Sequence, residues 1–285
     1  MKTELYNDHF QNYKRYGIPK AQLVIADIPY NLGVNAYASN PEWYIGGDNK
    51  NGESKKAGKT FFNTDLNFNI AEYFHFCNRL LKKEPKEAGK APCMIIFCSF
   101  QQIQTVIDYA KRYGFSNYIP LVFIKNYSAQ VLKANMKIVG ATEYGLVLYR
   151  DKLPKFNNGG RMIYNWFQVS KDSQYPRIHP TQKSVTLLKH LVEIFTDEGD
   201  VVIDPCAGSG ATLRACKELK RNSYGFEISK EFYKRAVEEM LPDLSFAEDK
   251  QTGQINLLSF PEIIPEWMGL YKKMKDTKRI GNNGI

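Results

Sequence analysis

Val201-Val202-Ile203-Asp204-Pro205-Cys206-Ala207-Gly208-Ser209-Gly210 is an apolar run that stops on an acid, turns through two glycines and opens a helical pattern. A short run of this kind fits a strand buried on both faces. Gly208 and Gly210 can take conformations closed to other residues and let a ligand approach the main chain. The helix expected from about Ala211 to Lys220 leaves its first N–H groups free. Beyond it, Ser223-Tyr224-Gly225-Phe226-Glu227 reads as a second strand with an acidic end, and a carboxylate there can accept hydrogen bonds from ribose hydroxyls. Strand, glycine turn, helix and acid-tipped strand form the template of a nucleoside-binding α/β sheet. A turn with only a structural role is the alternative that the segment leaves open.

The segment departs from the dinucleotide fingerprint, because Ala211, Thr212 and Leu213 follow Gly210 with no third glycine. Asp204 beside the turn disfavours a pyrophosphate and suits a cation. S-adenosylmethionine carries a sulfonium and an ammonium but no phosphate, and it fits this chemistry better than a nicotinamide dinucleotide.

Outward from this segment the chain alternates strand and helix. Leu23-Val24-Ile25-Ala26, Met94 to Cys98, Tyr118 to Ile124 and Tyr144 to Tyr149 are strand candidates. Helical spacing recurs at Ile70, Phe74, Cys77 and Leu81, at Ile103, Val106, Ile107 and Ala110, at Val185, Leu188, Val192 and Phe195, and over about Lys230 to Met240. The rhythm predicts an α/β fold with a mainly parallel sheet. Residues 31–60, rich in Asn, Gly, Lys and Ser, read as a mobile loop insertion; a loop of that length in a compact domain is usually functional or disordered. Residues 150–178 break the pattern, and 241–285 read as a C-terminal extension within a single catalytic domain, 1–285.

The 285 residues hold 43% hydrophobic side chains, enough for a sizeable core. Lys and Arg number 39 against 30 Asp and Glu, a net charge of +9 that suggests a polyanionic partner, nucleic acid first. No apolar run reaches the length of a membrane span, and Met1 to Phe10 carries no secretory core, so a cytoplasmic protein is expected. Cys77, Cys93, Cys98, Cys206 and Cys216 have no spacing that suits a metal. Cys93 and Cys98 read as small buried hydrophobes.

Asp27-Ile28-Pro29-Tyr30 follows the first apolar strand and should emerge at the carboxyl edge of the sheet, where ligands of open α/β sheets bind. A strand end with a turn is the simpler reading of four such residues. The functional reading starts from an exocyclic amino group on a base, a poor nucleophile because its lone pair is delocalised into the ring. The Asp27 carboxylate and the Ile28 carbonyl can accept its two N–H bonds and free that lone pair. Pro29 fixes the backbone, and Tyr30 offers a ring face to an extruded base, worth roughly 1–3 kcal/mol.

Taken together, these segments resemble the permuted, β-class DNA amino-methyltransferases of bacteria and phages over about residues 5–240. Asp27-Ile28-Pro29-Tyr30 resembles the family's Asp-Pro-Pro-Tyr motif, with Ile28 for a proline. Asp204-Pro205-Cys206-Ala207-Gly208-Ser209-Gly210 resembles its Asp-Pro-Phe-x-Gly-x-Gly. His179-Pro180-Thr181-Gln182-Lys183 resembles its His-Pro-Thr-x-Lys-Pro, with Ser184 for the last proline, and Gly225-Phe226-Glu227 its ribose-binding strand end. The resemblance implies a circularly permuted, Rossmann-like S-adenosylmethionine-dependent methyltransferase fold with helices on both faces of the sheet. It implies Asp27, Ile28, Pro29 and Tyr30 as catalytic residues. It implies cofactor binding by Asp204, Pro205, Cys206, Ala207, Gly208, Gly210 and Glu227, by His179 and Lys183 at the methionine end, and by Asp8 from a worn Gly-Asp pair. A helix-cap cluster is the other reading of His179 and Lys183.

Double-stranded DNA is the implied substrate. Residues 150–178 are a short candidate for target recognition, with Lys152, Lys155, Arg161 and Lys171 among Tyr164 and Trp166. An acid at the first catalytic position favours adenine N6 over cytosine N4. Rival readings are cytosine-N4 transfer, methylation of RNA or a protein amide, and a catalytically silent DNA-binding protein. A homodimer stays open, and a restriction endonuclease partner is unassigned.

Overall fold

The protein is described from a computed structural model, over residues 1–30, 68–127, 130–133, 138–179 and 181–242. The loop 31–60, Pro180, and all of the C-terminal extension except Leu241 and Pro242 lie outside the described residues. In chain order the strands are β1 (Thr3–Tyr6), β2 (Leu23–Asp27), β3 (Cys93–Cys98), β4 (Asn117–Lys125), β5 (Gln130–Lys133), β6 (Ile138–Gly140), β7 (Thr142–Tyr149), β8 (Trp166–Val169), β9 (Val201–Asp204) and β10 (Asn222–Phe226). The helices are α1 (Ile70–Leu80), α2 (Ile103–Arg112), α3 (Val185–Phe195), α4 (Ala211–Glu218) and α5 (Lys230–Arg235), the last running on into a wider turn over Ala236–Met240.

Eight strands form one sheet in the order β1-β10-β9-β2-β3-β7-β4-β8, and β5 pairs with β6 in a separate ribbon. The late strands β9 and β10 lie between the early strands β1 and β2, which is the permuted arrangement. Within the eight-stranded sheet every neighbouring pair is parallel except those made by β7, which runs antiparallel to both β3 and β4. The sequence rhythm marks Tyr144–Tyr149 as a strand without giving its direction.

Period-2 alternation divides the core. Val24 and Ala26 of β2 and Met94, Ile96 and Cys98 of β3 pack with α1 and α2 on one face. Leu23 and Ile25 of β2 and Cys93, Ile95 and Phe97 of β3 pack with α3 and α4 on the other. Helices thus cover both faces, and the two central strands are apolar at nearly every position for that reason. Cys93 and Cys98 are both buried, as read from the sequence. Four short strands have no counterpart in the sequence reading: β1 and β8 at the two ends of the sheet, and β5 and β6 of the ribbon. Among the described residues no helix is long and apolar enough to cross a membrane.

Local chemistry fixes the helix that reaches the site. Ser184 stands where the family pattern has proline, and its Oγ accepts the Leu187 N–H at 3.2 Å as the N-cap of α3. A serine cap of this kind stabilises a helix by about 1 kcal/mol. It also places Lys183 immediately before the first turn.

Candidate active site

The carboxyl ends of β2 and β9 lie side by side, with Val24 opposite Ile203. Above them opens a cavity of about 740 Å³, lined by Asp27, Ile28, Pro29 and Tyr30 from the early motif and by Asp204 through Ser209 from the late one. Glu227, His179 and Lys183 line it too. The two motifs far apart in sequence therefore share one crevice.

On the β9–β10 side, the Asp204 Oδ1 accepts the Cys206 N–H at 2.9 Å, and the carboxylate is also bonded by Thr212. Burial pushes its pKa up to about 7, and the charges of Asp27 and Glu227 add to the rise. Glu227 accepts the Ser229 N–H at 2.7 Å and further main-chain N–H bonds from Gly208 and Ile228. Burial raises it to about 7 as well. Gly208 has φ +52°. Gly225 lets α4 lie against β10, since a Cβ there would come within 2.8 Å of Leu213 Cδ1 and 3.0 Å of Ala207 Cβ. A buried acid and a half-buried one beside apolar Phe68, Ile228 and Phe232 suit a nucleoside that carries positive charge, and they would repel a pyrophosphate. S-adenosylmethionine fits this donor set.

Two residues expected at the cofactor do not line the cavity. Asp8 instead accepts from the His9 N–H, Asn12 Nδ2 and Tyr16 OH, each at 2.7 Å, and orders the 3-10 turn Phe10–Arg15. Its neighbours His9 and Phe10 reach the cavity. Gly210, at φ +76°, caps α4 and faces Ala236, whose Cβ would lie 3.4 Å from an added Cβ. His179 does line the cavity. Its Nδ1 meets the Thr181 N–H at 3.3 Å and its ring stands edge-on to Phe232. Burial and the Lys183 charge lower its pKa to about 4, so the ring is neutral at physiological pH.

On the β2 side, Lys183 Nζ lies 2.6 Å from Asp27 Oδ2 and 3.4 Å from Glu143 Oε2. Its ammonium sits over the Phe97 ring, 5.2 Å from the centroid. The family resemblance puts this lysine at the methionine end of the cofactor; here it is ion-paired with Asp27. Burial raises the pKa of Asp27, Lys183 lowers it, and Glu143 raises it again, for a net rise. The Tyr30 hydroxyl donates to Asp27 Oδ1 at 3.3 Å. Gln102, which sequence reading missed, clamps the motif: its Nε2 donates to the Pro29 carbonyl at 3.0 Å while its Oε1 accepts the Ser99 N–H at 3.1 Å.

The four candidate DNA cations are not brought together. Because β7 is antiparallel, the chain leaves it at the edge of the sheet opposite Asp27. Lys152 follows there, its N–H bonded to Glu84. Lys155 is only 17% exposed and pairs with Asp197 at 2.5 Å and Asp200 at 3.0 Å, just before β9. Its charge is satisfied within the fold. Arg161 is exposed ahead of β8, where Tyr164 and Trp166 stack at 5.6 Å. Only Lys171, which follows β8, reaches the carboxyl edge, with its ammonium over the Tyr127 ring. Arg177, exposed on the same segment, was not singled out by sequence.

This sheet order with its single reversed strand, and a cavity for a cationic nucleoside at the carboxyl edge, define an S-adenosylmethionine-dependent methyltransferase fold. The family described as DNA methylase, grouping N6- and N4-acting enzymes, matches residues 21–238, and the chain belongs to it. It is by that membership a DNA methyltransferase with S-adenosylmethionine as cofactor. The DNA adenine methyltransferase YhdJ of Escherichia coli (strain K12) is 25% identical over 301 aligned residues, covering 93% of this chain and 94% of the relative. The type II methyltransferase M.HpaI of Haemophilus parainfluenzae is 23% identical, covering 76% of this chain and 67% of the relative. Among solved structures, the M1.HpyAVI–SAM complex aligns with TM-score 0.58 at 23% identity, covering 82% of this chain and 97% of that one. The cytosine-N4-specific PvuII DNA methyltransferase aligns with TM-score 0.60 at 14% identity, covering 86% and 88%.

Proposed function

We propose that the protein methylates the exocyclic N6 of adenine in double-stranded DNA, in the cytoplasm, with Asp27 as the acceptor that prepares the amino group. The observation that carries this reading is the Asp27 carboxylate standing in the same cavity as Glu227 and the glycine turn. An acid rather than a serine at the head of the tetrapeptide favours adenine, and a relative that aligns over nearly the whole chain is named an adenine methyltransferase.

S-adenosylmethionine, held by Asp204, the Cys206–Gly208 main chain and Glu227, supplies an electrophilic methyl group. The target base leaves the duplex at a cost of a few kcal/mol. One amino N–H bonds to Asp27 Oδ1, displacing the long contact from Tyr30, and the other bonds to the Ile28 carbonyl. The Tyr30 ring then stacks on the base. Gln102, through the Pro29 carbonyl, and the Ile28 N–H bond to the Phe97 carbonyl at 3.2 Å fix the turn, so positioning supplies much of the rate. Asp27 Oδ1 receives the proton that the nitrogen sheds, and its raised pKa suits it to that task. Lys171, on the rim, meets the DNA backbone.

The test is nucleoside analysis of duplex DNA treated with the protein and labelled cofactor. N6-methyladenine is the expected product. N4-methylcytosine in its place would overturn the adenine assignment, and label in RNA alone would overturn DNA as the substrate.

A further inference from the structure

On the face of the sheet that carries α3, successive strands end in a row. Alternation puts Asp27 of β2 in line with Leu23 and Ile25, Phe97 of β3 with Cys93 and Ile95, Glu143 of β7 with Val147, and Lys125 of β4 with Leu121 and Phe123. Register makes the row contiguous: Asp27 lies opposite Phe97, Phe97 opposite Gly145, and Phe123 opposite Glu143. Lys183 descends on this row from the start of α3. Its ammonium, 9% exposed, bridges Asp27 and Glu143 above the Phe97 ring. Glu143, 16% exposed, is also ion-paired with Lys125, 14% exposed. The result is an alternating chain of two carboxylates and two ammoniums, neutral in sum, which is how charges are tolerated away from water.

We propose that Glu143 is a positioning residue for methyl transfer: it draws part of the Lys183 ammonium away from Asp27, leaving Asp27 Oδ1 free to accept from the substrate amino group. Without Glu143, Lys183 would close on Asp27 alone and weaken the acceptor. Lys125 sets the balance, since it holds Glu143 away from a one-to-one pair with Lys183. The proposal rests on Asp27 being the acceptor.

Among the described residues, the titratable groups around the Asp27–Lys183 pair are Tyr30 on the turn after β2, Cys98 of β3, Tyr127 after β4, Glu143 of β7, His179 before α3, and Asp204 and Cys206 at the end of β9. Of these, Glu143 is the one ion-paired with Lys125, whose ammonium also stands over the Tyr127 ring. The two substitutions therefore act on Asp27 in opposite directions. Glu143→Gln removes a negative charge that raises the Asp27 pKa, so the acid limb of the kcat–pH profile moves down by about one pH unit. Lys125→Met lets Glu143 draw Lys183 away, so the limb moves up.

The experiment measures kcat against pH for the full chain and these two variants, with duplex DNA and labelled S-adenosylmethionine saturating, alongside thermal melts and cofactor Kd. Opposite shifts with unchanged cofactor Kd support the proposal. Lowered melting temperature with an unmoved acid limb would show Glu143 to be structural only and overturn it, as would shifts of the same sign. Should Glu143→Gln fail to fold, the Lys125→Met shift decides alone: upward supports, unmoved or downward overturns. Robust transfer by Asp27→Asn in the same assay would instead sink the acceptor reading, so the two failures are separable.

Discussion

Two pairs of acids, three of whose four members line one cavity, are held in opposite ways. Asp204 and Glu227, on the β9–β10 side, are met by N–H and O–H donors, and among the described residues no lysine or arginine pairs with either. Asp27 and Glu143, on the β2–β7 side, are threaded between Lys183 and Lys125. The first pair gains from a ligand that brings its own positive charge. The second is already neutral and suits an uncharged amino group. On that contrast we place the cationic cofactor, in our proposal, on one side and the base on the other.

The largest effect that could break this comparison is on transfer. Asp27→Asn should lower the single-turnover rate by about a thousandfold or more, the scale of losing an electrostatic group aimed at the transition state, with cofactor Kd unchanged by equilibrium titration. Glu227→Gln should do the converse, raising cofactor Kd by about 10–100-fold, the worth of a hydrogen bond to a charged group. An unchanged Kd would refute the ribose assignment.

Next in size is a pH effect. Asp204 and Glu227 are both raised to about 7 by burial, so they shed protons as pH rises through that value, and a cationic ligand prefers them ionised. Cofactor Kd should be weaker at pH 6 than at pH 8 by about tenfold, with protons released on binding below pH 7. Tighter binding at pH 6 would contradict the electrostatic contrast.

The smallest effect separates the two edges of the sheet. Lys171→Ala should weaken DNA binding a few-fold and reduce the slope of log Kd against log salt by about one. Lys152→Ala, at the far edge, should change neither. Equal effects would place DNA elsewhere.

The residues themselves explain what could be read in advance. Val201–Asp204 and Leu23–Asp27 are unbroken apolar runs ending in acid because both are central strands buried on two faces. That combination is visible without any structure, and so were the glycine turn, Glu227 and α1 through α4. Glu143 and Lys125 were not visible. Each is a single charge at the end of an alternating strand, indistinguishable in sequence from a solvated position. Their pairing depends on β7 folding back against β3 and β4. Continuing the inward alternation of Leu121 and Phe123 to Lys125, and of Val147 and Gly145 to Glu143, is the signal that could have found them. Lys152 and Lys155 illustrate the same limit: nearness in sequence to the recognition segment does not say at which edge the reversed strand lets the chain out.

The most direct test of the division between the two sides is the methyl-transfer rate as a function of cofactor concentration, for Asp27→Asn and Glu227→Gln together. The account predicts that abundant S-adenosylmethionine restores Glu227→Gln toward the unsubstituted rate and leaves Asp27→Asn flat. Rescue of Asp27→Asn by cofactor, or a Glu227→Gln variant that stays inactive at saturation, would contradict it.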